Sequence, residues 1–301
     1  MATAGRRTAM QKPLSPAVLA ATLGLIALLW GGSFIILKTL THVFQPFTLS
    51  ALRGGVAACA LALFFIATGR SLRPRGVDMR TATVMGTLHG WIPNALVAFA
   101  VTGLGAGLSA MLQSSAPLAT ALIAHAFLPS ERIAGRQWFG IGVGFLGVAT
   151  LIGPEALAGS RASLLPVLAM GGVALSYAIG NVWVRGVTDT TPERLALGQQ
   201  GFGALCALTL ALIFEPWTDW AMTAHTWPQL LAFGALGSAV PFTLFMWLIQ
   251  RAGTVKATMT GYLVPLVAAT LATLTLDETI LPRQMFGAAI ILAGVWLVTR
   301  R

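Results

Sequence analysis

Charge is what this sequence lacks most. Lys and Arg number 19 and Asp and Glu only 9, so 9% of the 301 residues are charged, against about 25% in a soluble globular domain. That scarcity excludes a water-facing surface over most of the chain. Cysteine is nearly missing too. Cys59 and Cys206 each lie inside an apolar run, where they read as small packing residues and not as a disulfide or a thiolate metal site. The patterns G-x-S-x-G, H-E-x-x-H and G-x-x-x-x-G-K-[ST] do not occur, so the chain has no serine-hydrolase, zinc-protease or nucleotide signature and does not read as an enzyme. The nearest nucleophile and base are Ser114 or Ser115 and His125. They sit roughly 15 Å apart along one helix, too far for proton transfer. Strict apolar–polar alternation is absent, which excludes a β-barrel. No metal or cofactor is expected.

What is present is apolar. Hydrophobic residues make up 56% of the chain, and the mean hydropathy is +0.80. Ten runs approach the roughly 17–25 residues a helix needs to cross a bilayer. They cover residues 17–38, 46–69, 80–101, 107–128, 135–153, 162–184, 194–214, 228–250, 255–276 and 283–299, and are numbered spans 1 to 10. The fold class is therefore an all-α membrane protein with ten transmembrane helices. A net charge of +10 could suggest nucleic acid, but the cations follow topology. With the N-terminus inside, Arg6, Arg7, Lys12, Arg70, Arg73, Arg75, Arg80, Arg132, Arg136, Arg185, Arg194, Arg251, Lys256, Arg300 and Arg301 fall on the inner side. Only Lys38, Arg161 and Arg283 fall outside. That asymmetry places both termini in the cytoplasm and makes anionic lipid headgroups, not nucleic acid, the partner of the charge. Residues 1–16 read as a basic cytoplasmic tail, with no cleavage pattern after it.

The second half repeats the first at an offset of 147 to 148 residues, so that 17–153 and 162–299 form two five-helix units. "GGVAACALALFFI" (54–66) aligns with "GFGALCALTLALI" (201–213), and "RQWFG" (136–140) with "RQMFG" (283–287). Gly86, Pro93, Gly105 and Pro117 align with Gly234, Pro241, Gly253 and Pro265. Five is odd, so the second unit is inverted across the membrane. Inverted repeats are typical of secondary transporters, which hold substrate near the midplane between the halves.

Ten spans in two inverted repeats resemble the drug/metabolite transporter superfamily, in its EamA-type branch. The resemblance rests on "LLWGGSFIILK" (28–38), "LSALRGG" (49–55), "SSAPLATALIA" (114–124) and "ILAGVWLV" (291–298). Within that branch the chain looks most like the YddG-type aromatic amino-acid exporters. The resemblance implies amino acids as the substrate class, aromatic ones especially. It also implies a multi-pass protein of the bacterial inner membrane.

A proline within a helix frees the carbonyl four residues earlier. Pro93, Pro117, Pro241 and Pro265 would free those of His89, Gln113, Gly237 and Gly261, two symmetry-related pairs of breaks and candidate hinges. Such breaks are tolerated where helices, hydroxyls or water satisfy them. The stretch "GTLHGWIPNALVAF" (86–99) shares its proline with the second repeat, but its His89, Trp91 and Asn94 align with Gly237, Ala239 and Phe242. Shared residues read as architecture and unshared polar ones as function, so this stretch is a candidate wall of the substrate site. His89 and Trp91 are about 200° apart around a helix, which favours Trp91 and Asn94 over His89. Phe34, Gln113, Ser114, Tyr177, Asn181, Phe242, Trp247 and Tyr262 complete the candidate lining. Trp217, Trp220 and Trp227 read as an interfacial belt.

Arg53 is the single charge well inside a span, roughly 10 Å from its end. It reads either as a paired structural arginine or as a vestibule charge attracting a carboxylate. All nine acidic residues fall in loops or at span ends, so the intramembrane carboxylate common in proton-coupled carriers is missing. The expectation is uncoupled, facilitated export by alternating access, with His89 as the carrier if protons are involved. The alternative is a cationic-drug exporter driven by proton antiport, since aromatic faces bind cations. The G-x-x-x-G of Gly140 and Gly144 reads as internal packing more than as a dimer face, so a monomer is expected.

Overall fold

The computed structural model describes residues 14–73, 76–128, 132–153, 161–184, 186–187, 190–216, 224–252, 257 and 259–299. Its regular elements are all helical. Spans 1 and 2 are α1 (Pro16–Leu40) and α2 (Pro46–Ala67). Span 3 is α3 (Gly76–Met85), a π-helical turn (Gly86–Trp91) and α4 (Ile92–Leu104). Span 4 is α5 (Ala106–Gln113) and α6 (Ala116–Phe127), and span 5 is α7 (Gly135–Ile152). Spans 6 and 7 are α8 (Arg161–Val184) and α9 (Pro192–Phe214). Span 8 is α10 (Trp227–Gly234), a second π-helical turn (Ala235–Ala239) and α11 (Val240–Ala252). Spans 9 and 10 are α12 (Thr260–Leu276) and α13 (Pro282–Thr299). Eight of the ten are long and apolar enough to cross a membrane, and the 17-residue α12 is a shorter apolar helix.

Local signals set these ends. Pro46 and Pro192 occupy the first helical position of α2 and α9, and Thr191 caps α9 by accepting from Arg194 N, the positions where a missing N–H costs nothing and a hydroxyl satisfies an orphan donor. Gly105, at φ 81°, turns the chain between α4 and α5. Hydropathy is inverted relative to a water-soluble bundle. Leu63, Ile66, Phe139, Leu212 and Leu274 are all more than 60% exposed, as side chains facing lipid should be.

The repeat is visible in the packing. α2 lies along α9 and α7 along α13, each pairing a span with its own counterpart. The α1–α12 contact (spans 1 and 9) matches the α8–α6 contact (spans 6 and 4), and span 3 meets α9 as span 8 meets α2. Small residues bring the backbones together, as membrane helix pairs require. A Cβ on Gly31 would lie 2.7 Å from Val267 Cγ1, and one on Gly147 would lie 2.5 Å from Ile291 N. The Gly140 and Gly144 faces turn inward onto α13. Gly140 looks at Gly294 O, Gly294 in turn packs against Gly144 Cα, and Gly144 also meets Leu118. This glycine motif is internal packing.

The prolines act less uniformly than the sequence suggests. Pro93 follows the π-helical turn of span 3 at the start of α4, and Pro241 follows that of span 8. Both prolines sit where the wider turn has already displaced the conflicting carbonyl. Pro117 opens α6 after a tightened turn at Ser114–Ser115, where both residues stay in the right-handed helical region and the bonds run partly three residues back. Its counterpart Pro265 lies inside α12, within its first two turns.

Candidate functional site

The two π-helical turns meet α2 and α9 near the middle of the bundle, and their freed carbonyls are satisfied reciprocally. The Gly237 carbonyl, four residues before Pro241, accepts from Arg53 Nη2 of α2 at 3.2 Å. The His89 carbonyl, four residues before Pro93, accepts from Gln199 Nε2 of α9 at 3.2 Å. Each repeat thus supplies the donor for the break in the other. The alignment pairs Arg53 with Gln200, but the residue in the equivalent role is Gln199. Close approach makes this possible. A Cβ on Gly86 would lie 3.0 Å from Gln199 O, and one on Gly234 would lie 3.0 Å from Arg53 O.

Arg53 is the hub of the first cluster. Its Nε donates to Ser238 Oγ at 2.7 Å and its Nη1 to Asn94 Oδ1 at 3.3 Å. The guanidinium also lies over the Phe233 ring, 4.6 Å from the centroid. Thus one side chain of α2 ties span 3 to span 8. The second cluster surrounds His89. Its Nε2 is 3.2 Å from Tyr177 O, its ring meets the Tyr177 ring edge-on at 5.0 Å, and its ring edge fits against the bare Cα of Gly180. Ser176 Oγ donates to Leu88 O at 2.7 Å, holding α8 to the same turn. His89 and Asn94 both belong to span 3, on either side of its break, which joins the two clusters. Arg53, His89, Asn94 and Tyr177 are all half-buried.

The remaining candidates are dispersed. Asn181 Nδ2 lies 3.4 Å from Thr120 Oγ1, between α8 and α6. Trp91 and Gln113 are half-buried at their breaks. The Ser114 hydroxyl donates to Met111 O in its own turn at 2.6 Å, so its proton is committed to the tightened turn of span 4. Phe34 is 5% exposed within the main core. Phe242 packs with Ala57, Leu61 and Ala196 between α2 and α9. Trp247 packs with Leu23, Ile26 and Leu248, where α11 meets α1. The Tyr262 hydroxyl faces Thr299 Oγ1 of α13 at 3.4 Å. Of the interfacial tryptophans, Trp227 is 39% exposed at the start of α10, while Trp217 and Trp220 lie outside the described residues.

Residues that composition alone did not flag hold the two ends of the bundle. Glu278 accepts from Ala106 N at 2.7 Å and Gly107 N at 3.0 Å, capping α5. Glu215 accepts from Phe47 N, Thr48 N and Thr48 Oγ1, capping α2. At the opposite end, Arg194 pairs with Asp78 at 3.4 Å and donates to Ser71 O and Arg73 O, while Arg70 pairs with Glu193 at 3.2 Å. A cavity of about 470 Å³ opens between them, lined by Phe65, Arg70, Ser71 and Thr191–Arg194. A carboxylate at a helix N-terminus meets unsatisfied N–H groups and the positive end of the helix dipole. Its partner lies far away in sequence, so no local pattern announces it.

A bundle of broken, mutually held helices in two matching halves defines a membrane transporter of the inverted-repeat kind, not an enzyme. The EamA-like transporter family model matches residues 18–153 and again residues 164–300, and the chain belongs to that family. It is 25% identical to the uncharacterized transporter YoaV of Bacillus subtilis, over 91% of this chain and 94% of that protein. It is also 25% identical to a protein of Escherichia coli named "Probable amino-acid metabolite efflux pump", over 91% of this chain and 92% of the other. A third relative, from Streptantibioticus cattleyicolor, is named "Probable terminal-alkyne amino-acid exporter" and is 27% identical over 96% and 95% of the two chains. A solved crystal structure superposes with a TM-score of 0.66 at 19% identity, covering 94% of this chain and 96% of the other; it supports the fold.

Proposed function

We propose that this transporter exports amino acids, aromatic ones preferentially, across the bacterial inner membrane by uncoupled alternating access, in the manner of the YddG-type exporters. The observation that carries this reading is the joined pair of clusters at the two breaks. The aromatic ring of His89, set against that of Tyr177, stands on the same broken helix as the hydrogen-bonding group of Asn94, which with Ser238 holds one cation, Arg53, over the buried Phe233. That combination suits a molecule with an apolar body and polar ends. The names of two relatives point to the same class. Both termini belong on the cytoplasmic side, because Arg70, Arg73, Arg80, Arg132, Arg136, Arg194 and Arg251 share one end of the antiparallel bundle.

The carboxylates support the absence of coupling. Asp78 and Glu193 pair with arginines, and Glu215 and Glu278 cap helices. Each is committed to the ends of the bundle, away from the breaks. The cationic-drug reading meets a physical objection, since Arg53 places a positive charge where a cationic substrate would have to sit.

The test is uptake of labelled tryptophan and threonine into liposomes containing the purified protein, with and without a pH gradient. Uptake to equilibrium that prefers tryptophan and ignores the gradient is expected, and replacing His89 should leave that pH profile unchanged. Accumulation that collapses with the gradient would replace facilitated diffusion by proton coupling. No uptake of either amino acid would refute the substrate class.

A further inference from the structure

Resting on the amino-acid reading above, the geometry points to Arg53 as the residue that recognises the substrate's carboxylate, with the neighbouring break of span 8 as its cradle.

The comparison between repeats carries the argument. Holding the freed carbonyl of a broken helix needs one N–H donor. At the break of span 3 a neutral amide, Gln199, does this for His89 O. At the break of span 8 the same task falls to Arg53 for Gly237 O, at the same 3.2 Å. A charge is therefore surplus to the architecture, and a cation within a membrane is costly to keep.

The bonding of the guanidinium leaves room for an anion. Its three protein partners are Ser238 Oγ, Asn94 Oδ1 and Gly237 O, all neutral. Arginine carries five N–H groups, so one hydrogen on each terminal nitrogen is left over. The described acidic residues are elsewhere. Glu193 and Asp78 pair with Arg70 and Arg194 at the far end of α2, and Glu215 and Glu278 are bound to backbone amides. A guanidinium–carboxylate bond is shorter and roughly twice as strong as a neutral one, so a carboxylate arriving here finds a fixed, half-buried donor with no acidic partner among the described residues. Phe233 under the guanidinium and Ser238 on its Nε fix the plane of the fork.

Binding of tryptophan and of tryptophanamide to the purified protein tests this. The two share ring and ammonium and differ only at the carboxylate. Wild type should prefer the acid by about tenfold or more, the weight of one charge-assisted contact. In Arg53→Gln the preference should fall to about twofold or less, because the charge that a carboxylate gains from and an amide does not is gone. A second measurement needs no variant. Tryptophan should protect Arg53 from phenylglyoxal, read by peptide mass spectrometry, and tryptophanamide should not. The acid–amide pair is repeated with phenylpropionate and its amide, which lack the ammonium. A preference for the acid in that pair alone would keep the anchor while refuting the amino-acid reading. A wild type indifferent to the acid in both pairs, an undiminished preference in Arg53→Gln, or equal protection by acid and amide would overturn it.

Discussion

Gly180 offers the sharpest test of the geometry at the first break. It faces His89, and a Cβ placed on it would overlap the imidazole, lying 2.6 Å from Nε2 and closer still to Cδ2. In Gly180→Ala the ring has to leave its place, and the contact between Nε2 and Tyr177 O goes with it. Overpacking costs about 1–3 kcal/mol and the lost hydrogen bond about 1 kcal/mol. The helix recovers up to about 1 kcal/mol, because alanine is the better helix former. The net is a destabilisation of about 1–3 kcal/mol. In a His89→Ala background the ring overlap is gone, and only the 3.2 Å approach to Leu88 Cβ stands against the gain in helix propensity of up to about 1 kcal/mol, so the same substitution should be near neutral. The effect therefore largely disappears, with a coupling energy of about 1–3 kcal/mol. Equilibrium unfolding of the four proteins in one detergent measures this cycle. Equal costs of Gly180→Ala in both backgrounds would refute the placement of His89 against α8.

Glu278→Gln should lower the melting temperature in detergent, by the equivalent of about 1–2 kcal/mol, because the charge-assisted caps on Ala106 N and Gly107 N weaken; an unchanged melt would remove the cap from the account. Gly140→Leu should destabilise by about 2 kcal/mol or more as α7 is pushed from α13, while light scattering shows the mass of the detergent-solubilised protein unchanged. A reduced mass with intact stability would make that glycine face an oligomer contact after all.

The ten helices and their repeat were legible because hydrophobic length and recurring Gly and Pro are one-dimensional signals. The two breaks were legible for the same reason: Pro93 and Pro241 each stand a few residues after a glycine, and the wider turns formed there. What satisfies those breaks was not legible. The donors Arg53 and Gln199 reach carbonyls 184 and 110 residues away in sequence, and the alignment pointed to Gln200 where geometry selects Gln199. Side-chain direction was equally hidden. Tyr262 carries the right chemistry for a wall, yet its hydroxyl faces Thr299 at the edge of the bundle. Ideal helical angles set His89 and Trp91 about 200° apart, but a π-helical turn does not keep those angles, and it holds His89 against Tyr177. Among the described residues Asp78, Glu193, Glu215 and Glu278 lie at span ends, while the task of Glu215 and Glu278 as caps of distant helices depends on tertiary contact.

The breaks also bear on the symmetry of the two halves. In the second repeat the position of His89 is taken by Gly237, and Ser33 of α1 leans on it at 3.0 Å from an added Cβ; in the first repeat the sizes are exchanged, with His89 set against Gly180. A pair of first halves would force a histidine onto a serine, and a pair of second halves would leave two glycines facing hollows. The halves have become left and right hands of one molecule. At this one pair of positions the two halves are complementary in bulk and no longer interchangeable.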